Sequence, residues 1–365
     1  MSITFQQMLE AKAYSLTQEE KQDALLDQLS QLTQHHYTHC EFYRKIIDAV
    51  WDGSQKAEQL ADIPYLPVSL FKQQQLASVP QDEVSITLTS SGTTGAAVSQ
   101  IFVDRETSTR QQRALTQSMM HVLGPKRLPM LVIDSESVFK NPKLMSARGA
   151  GVLGMTRFGH RPVFALTEDM KPNLQGVRDF LQQNGDKTFF IFGFTFMVWS
   201  QLYQHFASEN IDLKNGILVH SGGWKKMIEE SVDNKVFRSK LNEAFGLTKI
   251  FNFYGMVEQL GSVFLEGDNG LLYPPSFSEV IIRDPKSWRE CPNGTTGVIQ
   301  VLSLIPRSYP GHSLLTEDIG VIEEVSSKGQ FLGKGLRILG RVKKAELRGC
   351  SDVIASEAQE TSHVS

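Results

Sequence analysis

Cysteine is scarce. The 365 residues hold three, Cys40, Cys291 and Cys350, too few and too scattered for a disulfide framework. They are expected to be thiols in a reducing compartment. No apolar run approaches the ~20 residues of a membrane span. The opening MSITFQQMLEAKAY lacks the basic, apolar and small-residue order of a secretion signal, so a cytoplasmic protein is expected. Neither sign of charge dominates: 37 Lys+Arg against 40 Asp+Glu leave −3, which supplies no global drive towards nucleic acid or anionic lipid. A small-molecule or protein partner is favoured. Internal repeats and low-complexity tracts are missing as well, and only the closing SEAQETSHVS reads as a polar, disordered tail. With 41% hydrophobic and 21% charged residues, 28 Gly and 14 Pro, the remaining composition is that of a globular protein. At ~150 residues per domain the length fits two to three units, or one large domain with an appendage.

From Gln18 to Val50 the residues Leu25, Leu26, Leu29, Leu32, Tyr37, Phe42, Tyr43, Ile46 and Ile47 recur at three- and four-residue steps, the spacing of amphipathic helix. Ile63 to Phe71 carries two prolines and reads as an extended connector packed on a larger body. Strands are expected at 84–89, 130–133, 189–192, 217–220, 249–253, 279–283 and 298–303. Helical stretches lie between several of them, at 105–122, 174–184, 195–207 and 225–245. Strands alternating with helices predict an α/β architecture with a largely parallel sheet. Beyond about residue 270 helices thin out and strands dominate, which predicts a smaller β-rich lobe.

The strand at 84–89 runs straight into Ser90-Ser91-Gly92-Thr93-Thr94-Gly95. Glycine permits close backbone approach to a ligand, and hydroxyls and free N–H groups donate to phosphate oxygens. No Gly-Lys-Ser/Thr follows, so this is not a Walker loop. On composition alone an ordinary surface loop and an anion cradle fit equally. Gly149-Ala150-Gly151-Val152-Leu153-Gly154 matches a dinucleotide fingerprint formally, but polar KNPKLMSAR precedes it where an apolar strand is required. His35/His39 and His36/Cys40 are i, i+4 pairs about 100° apart on a helix, which points them at adjacent faces and disfavours one metal site. Phe189 to Trp199 (FFIFGFTFMVW) reads mainly as core, with the wall of an acyl tunnel as the alternative and Gly193 opening space for an alkyl chain. Cys350 has Lys343, Lys344 and Arg348 nearby, cations that favour a nucleophilic thiolate, while a small structural cysteine is the other reading.

Further segments join the Ser/Thr/Gly loop. His220-Ser221-Gly222-Gly223-Trp224-Lys225 and Phe253-Tyr254-Gly255-Met256-Val257-Glu258 end apolar strands, where open α/β sheets gather ligands, and Leu315-Thr316-Glu317-Asp318-Ile319-Gly320 follows a proline-rich bend. In this order they resemble the core motifs of the adenylate-forming superfamily of acyl-CoA synthetases and adenylation domains. Leu32 to Arg44, PYLPVSLFK (64–72), LTSSGTTG (88–95), HSGGWKK (220–226), YPGHSLLTEDIG (309–320) and GRVKKAELRGCSD (340–352) are similar to the bacterial bioluminescence acyl-protein synthetases, or long-chain-fatty-acid luciferin-component ligases. Phenylacetate-CoA ligases are more distant in resemblance. The resemblance implies an α/β adenylate-forming large domain with a β-rich sublobe and a truncated C-terminal segment. Along the chain these would be a helical segment and connector at 1–80, an adenylation core at 81–270, the sublobe at 271–340 and a tail with Cys350 at 341–365.

The same resemblance implies the chemistry: ATP-dependent activation of a carboxylic acid, a long-chain fatty acid foremost, as acyl-AMP, then transfer to Cys350 as a thioester for a partner acyl reductase. Ser90 to Gly95 would hold the ATP phosphates. Ser221, Gly222 and Gly223 would line the adenine pocket, with Tyr254, followed by Gly255, stacking on the base. Glu258 would ligate Mg²⁺ as a hard oxygen donor beside phosphates. Asp318 and Arg341 would reach the ribose. Val257 stands where most of the superfamily has Thr, and Thr316-Glu317-Asp318 replaces Thr-Gly-Asp. Only 24 residues follow Arg341, where full synthetases carry a mobile domain with a catalytic lysine. Lys225, Lys334, Lys343 and Lys344 are the candidates to replace that charge. Two alternatives remain open at this point: a ligase passing the acyl group to an external thiol, coenzyme A or a carrier protein, and a non-catalytic nucleotide or lipid binder.

Overall fold

A computed structural model describes residues 3–53, 56–90, 98–140, 148–223 and 232–342. Threonine opens the first long helix: the Thr17 side chain accepts from the Glu20 N–H while Glu20 reaches back to the Thr17 N–H, a capping box that starts helix Gln18–His39. The helical run expected to Val50 breaks at Cys40, whose extended backbone (φ −120°, ψ 102°) ends that helix and precedes helix Glu41–Val50. The connector expected to be extended is so only at β1 (Leu66–Pro67); after Pro67 it tightens into a 3₁₀ turn, Val68–Lys72, where the proline's fixed φ suits the turn's start.

The other strands follow in chain order as β2 (Ile86–Thr89), β3 (Gln100–Val103), β4 (Leu128–Ser135), β5 (Gly159–Leu166), β6 (Phe189–Phe194), β7 (Gly216–Ser221) and β8 (Lys249–Tyr254). Then come β9 (Phe264–Glu266), β10 (Leu272–Tyr273), β11 (Ser278–Arg283), β12 (Gly297–Ser303), β13 (Ser313–Ser326) and β14 (Gly333–Arg341). All seven strands expected from the sequence are present, with ends shifted by a residue or two. β3, β5, β9, β10, β13 and β14 are further strands that the pattern did not mark.

The described chain divides into two compact units. One takes the residues up to Thr89, those between 98 and His121, and those from Tyr254 onward; the other takes those from Val122 to Phe253. The second unit carries a parallel sheet in the order β5-β4-β6-β7-β8. Its central strands β6 and β7 are buried at every position, which is why they read as unbroken apolar runs. Helices Leu174–Asn184 and Asn234–Phe245 turn Val177, Phe180, Phe237 and Leu241 inward. Phe189, Phe190, Phe192, Met197 and Val198 are core. The space expected at Gly193 is filled: a Cβ there would stand 2.8 Å from Ile133 and 3.0 Å from Val198, so the residue allows close packing and opens no channel.

The first unit has antiparallel strands in the order β11-β12-β13-β14-β10-β9, with β1 parallel to β13 and β2 paired to β3 in a separate ribbon. The two N-terminal helices lie on this sheet. Leu25, Leu29 and Leu32 pack with Phe277, Ile281 and Leu302, and Tyr43 and Ile47 with Val280, Ile299 and Leu314. Of the helix histidines, His36 is buried, hydrogen-bonded through Nδ1 to Ser78 at 2.8 Å and stacked on His312 with centroids 4.8 Å apart. His35 Nε2 meets the Arg307 carbonyl at 3.1 Å. These rings are part of the packing.

Candidate active site

In the first unit, the ladder between β13 and β14 sets Asp318 directly opposite Arg341. Arg341 Nε donates to Asp318 Oδ1 at 3.2 Å, and the Tyr254 hydroxyl donates to Oδ2 at 2.7 Å. The Asp318 N–H donates to Thr316 Oγ1 at 3.1 Å, and the Thr316 hydroxyl to the Ile299 carbonyl at 2.8 Å. Between Gln300↔Leu315 and Val298↔Ile319 three β13 residues, Thr316, Glu317 and Asp318, face the single residue Ile299 of β12. That bulge suspends strict side-chain alternation and re-aims the side chains of these three residues. Burial and the Asp318 carboxylate push the Tyr254 phenol well above its ordinary range, so it serves as a donor at every working pH.

Glu258 sits in a 3₁₀ turn, Val257–Gln259, and is 6% exposed. Gln259 fixes the turn, its Nε2 donating to the carbonyls of Gly311 at 2.8 Å and Val301 at 3.2 Å. Burial pushes the Glu258 carboxyl up; a hydrogen bond from Ser99 and the charge of Lys72 pull it down, and Glu317 raises it. A buried carboxylate beside a second carboxylate gains from a cation. Mg²⁺ keeps several waters and takes one or two protein carboxylates plus phosphate oxygens, so a single Glu258 fits it. No cluster of three His, Cys, Asp or Glu suited to a metal occurs among the described residues.

In the second unit, Ser221 is the last residue of β7 and is buried; registers Phe194↔Ser221 and Ser221↔Phe253 place it at the carboxyl ends of three adjacent parallel strands. Thr195 Oγ1 donates to the Ser221 carbonyl at 3.1 Å and lies 2.9 Å from His220 Nδ1. Burial and Arg238 push His220 down to about 3, so its ring is neutral. Gly222 holds φ +83°, a left-handed conformation glycine adopts without strain, and a Cβ on Gly223 would meet nothing within 4 Å among the described residues.

Among the sequence-marked residues, the structure brings Tyr254, Asp318 and Arg341 into contact, places Glu258 in the same unit, and places Ser221, Gly222 and Gly223 together in the other. Gly255 is exposed beside Tyr254, and Ser90 is half-buried just after β2. Ser91, Gly92, Thr93, Thr94, Gly95, Lys225, Lys343, Lys344 and Cys350 lie outside the described residues. Lys334 does not serve as the replacement cation: it is buried, donates to the Val280 carbonyl at 3.0 Å, pairs with Glu290 at 3.3 Å, and faces Val325 at the far end of the β13–β14 ladder from Asp318. The sequence reading had not marked Thr316 as a hydrogen-bonding support, nor Gln259, Gly311, Ser99 or Lys72. Thr316, Gly311 and Lys72 stood inside quoted motifs; Gln259 and Ser99 did not.

A unit with a parallel α/β sheet and a unit with antiparallel strands carrying a Tyr-Asp-Arg cluster define the class. The chain has the fold of adenylate-forming ligases. It superposes on an open conformation of 2-hydroxyisobutyryl-CoA ligase, solved in complex with 2-HIB-AMP and CoA, with a TM-score of 0.67, covering 91% of this chain and 77% of that one at 17% identity. It belongs to the LuxE acyl-protein synthetase family, whose model matches residues 2–359. The long-chain-fatty-acid–luciferin-component ligase of Vibrio harveyi is 28% identical over 337 residues, spanning 87% of this chain and 84% of the relative. The ligase of that name from Aliivibrio fischeri is 25% identical over 343 residues, spanning 89% and 86%. The protein is thus a ligase. No helix among the described residues is long and apolar enough to cross a membrane.

Proposed function

We propose that the protein activates a long-chain fatty acid with ATP as acyl-AMP, releasing pyrophosphate, and then takes the acyl group onto Cys350 as a thioester. The observation that carries this reading is the Tyr254–Asp318–Arg341 cluster in a chain of the acyl-protein synthetase family. A carboxylate already held by a phenol and a guanidinium is fixed in direction, so it can accept both ribose hydroxyls without reorganising. The open backbone at Gly222 and Gly223 suits the adenine ring, with Ser221 beneath it. Tyr254, whose hydroxyl is engaged by Asp318, is the residue whose ring the family resemblance would stack on the base, with Gly255 next to it in the chain. Ser90, Ser91, Gly92, Thr93, Thr94 and Gly95 supply hydroxyl and N–H donors to the phosphates. Mg²⁺ held by Glu258 would supply charge neutralisation for the phosphates.

The acid's carboxylate oxygen attacks the α-phosphorus, and the bond to the bridging oxygen breaks with its electron pair leaving on pyrophosphate. The Cys350 thiolate then attacks the acyl carbonyl of the mixed anhydride and AMP departs. An acyl reductase partner that consumes the thioester completes the reading. The test is the intact mass of the protein after incubation with ATP, Mg²⁺ and fatty acids of several lengths, with Cys350→Ser alongside. The expected result is an ATP-dependent, hydroxylamine-sensitive gain of one acyl group, absent in the variant, while pyrophosphate release persists in both. An unchanged mass, with AMP formed only when coenzyme A or a carrier protein is added, replaces the self-acylation reading by ligation to an external thiol.

A further inference from the structure

We propose that Lys72 is a cation that meets the α-phosphate during adenylation. This rests on the adenylation reading above and names a residue for it. The geometry begins with β1, whose parallel register to β13, Leu66↔Leu314 and Pro67↔Leu315, carries the chain alongside the start of that strand, just before its Thr316–Asp318 bulge. The 3₁₀ turn Val68–Lys72 then brings the lysine to that bulge. Phe71 anchors the turn: it is 1% exposed and set edge-on to Tyr309 at 6.1 Å. The Lys72 ammonium consequently stands 4.0 Å from Glu317 Oε2, with about a quarter of its side chain exposed, and its charge reaches buried Glu258.

The cation already in this cluster is committed: Arg341 is held on Asp318, while Lys334 lies at the far end of the β13–β14 ladder, on Val280 and Glu290. Lys72 differs in that 4.0 Å is beyond hydrogen-bonding distance, and its ammonium makes no hydrogen bond among the described residues. All three of its N–H donors are therefore available to a ligand. A long, partly wet ion pair does little to hold a fold together. With Glu317 4.0 Å away and its charge felt at Glu258, it keeps a flexible cation near the carboxylate assigned to Mg²⁺, where the α-phosphate would lie if Asp318 takes the ribose. Glu317 stands where the superfamily has glycine, and the Val342 N–H donates to its carbonyl at 2.9 Å, fixing the backbone of the residue that faces Lys72. In the reaction Lys72 offsets the charge that builds on the α-phosphate oxygens as the acid's oxygen bonds to phosphorus and pyrophosphate leaves.

The experiment measures acid-dependent pyrophosphate release, ATP affinity by calorimetry, and thermal midpoint for wild type, Lys72→Gln and Lys72→Arg. In Lys72→Gln the rate at saturating ATP should fall about 100-fold, while ATP affinity changes less than about threefold and the thermal midpoint holds. Lys72→Arg, which keeps the charge, should recover about a tenth or more of the wild-type rate. A Lys72→Gln rate within about threefold of an active wild type overturns the proposal and leaves the adenylation reading standing. A well-folded Lys72→Arg that is as slow as Lys72→Gln overturns it too. A wild type that binds ATP but releases no pyrophosphate with any acid overturns the adenylation reading, and the role of Lys72 with it.

Discussion

Replacing Arg148 by Met should destabilise the parallel unit strongly at pH 8 and weakly at pH 5. Arg148 Nε lies 3.1 Å from Asp134 Oδ2 at the carboxyl end of β4, and both side chains are 1% exposed. Burial pushes the Asp134 carboxyl up to about 6 from 3.8, although Arg148 and the Ser135 N–H pull the other way. The folded pKa is raised, so this group's contribution is fully present below pH 3.8 and is lost as pH rises through 6, about 3 kcal/mol across that window at 1.36 kcal/mol per unit. Methionine fills much of the arginine's volume and leaves the carboxylate with no cation. At pH 8 the expected cost is about 3–5 kcal/mol, the cost of breaking a buried pair from one side. At pH 5 the carboxyl is already mostly protonated, and the cost should shrink to about 1–2 kcal/mol, that of a lost buried hydrogen-bond partner. Urea unfolding followed by tryptophan fluorescence, with Trp199 buried in this unit, compares variant and wild type at each pH. Equal losses at the two pH values, or a loss below about 1 kcal/mol at pH 8, would refute the assignment of Asp134 as a buried charge that depends on Arg148.

Gly311→Ala would drive a Cβ against the Tyr309 ring and within 2.8 Å of the Glu258 carbonyl oxygen. It should cost about 1–3 kcal/mol in thermal unfolding and slow pyrophosphate release, because the same glycine's carbonyl holds Gln259 in the Glu258 turn. His36 and His312 are held neutral by burial, His312 down to about 3 from 6.5. Their folded pKa values are depressed, so stability from these groups is present above pH 6.5 and lost as pH falls below it, up to about 1.4 kcal/mol per unit for each ring. His36→Gln should remove one proton's share of that slope in urea midpoints between pH 7 and 5, and an unchanged slope would contradict it.

Local pattern was enough to reveal the parallel unit. β6 and β7 are unbroken apolar runs because both faces are covered, and helix Leu174–Asn184 ahead of β6 keeps its 3.6-residue spacing. β13 and β14 were harder to see. Thr316, Glu317 and Asp318 bulge out of register and interrupt alternation in β13, and β14 mixes glycines with charged residues, so neither has a clean period of two. β5 opens on Gly-His-Arg-Pro, residues that tell against a strand, and is tolerated because it pairs on one side only.

The residue identities of the candidate site were visible from the sequence because motifs keep chemistry and order: Tyr254, Glu258, Asp318 and Arg341 each sat in a recognisable segment. Sequence alone also determined the ordinary charge balance, the lack of a disulfide framework and the alternation of strand and helix. The tertiary structure alone decided which of these residues touch. The Asp318↔Arg341 register, the Tyr254 bond closing on the same carboxylate, the approach of Lys72 through β1 and the pairing of buried Lys334 with exposed Glu290 all join residues far apart in the chain. Such contacts follow from strand register and from which helices cover the sheet. Both are settled by burying apolar surface such as Leu25, Tyr43 and Phe71 against strands more than two hundred residues away, and no local window of sequence contains both partners.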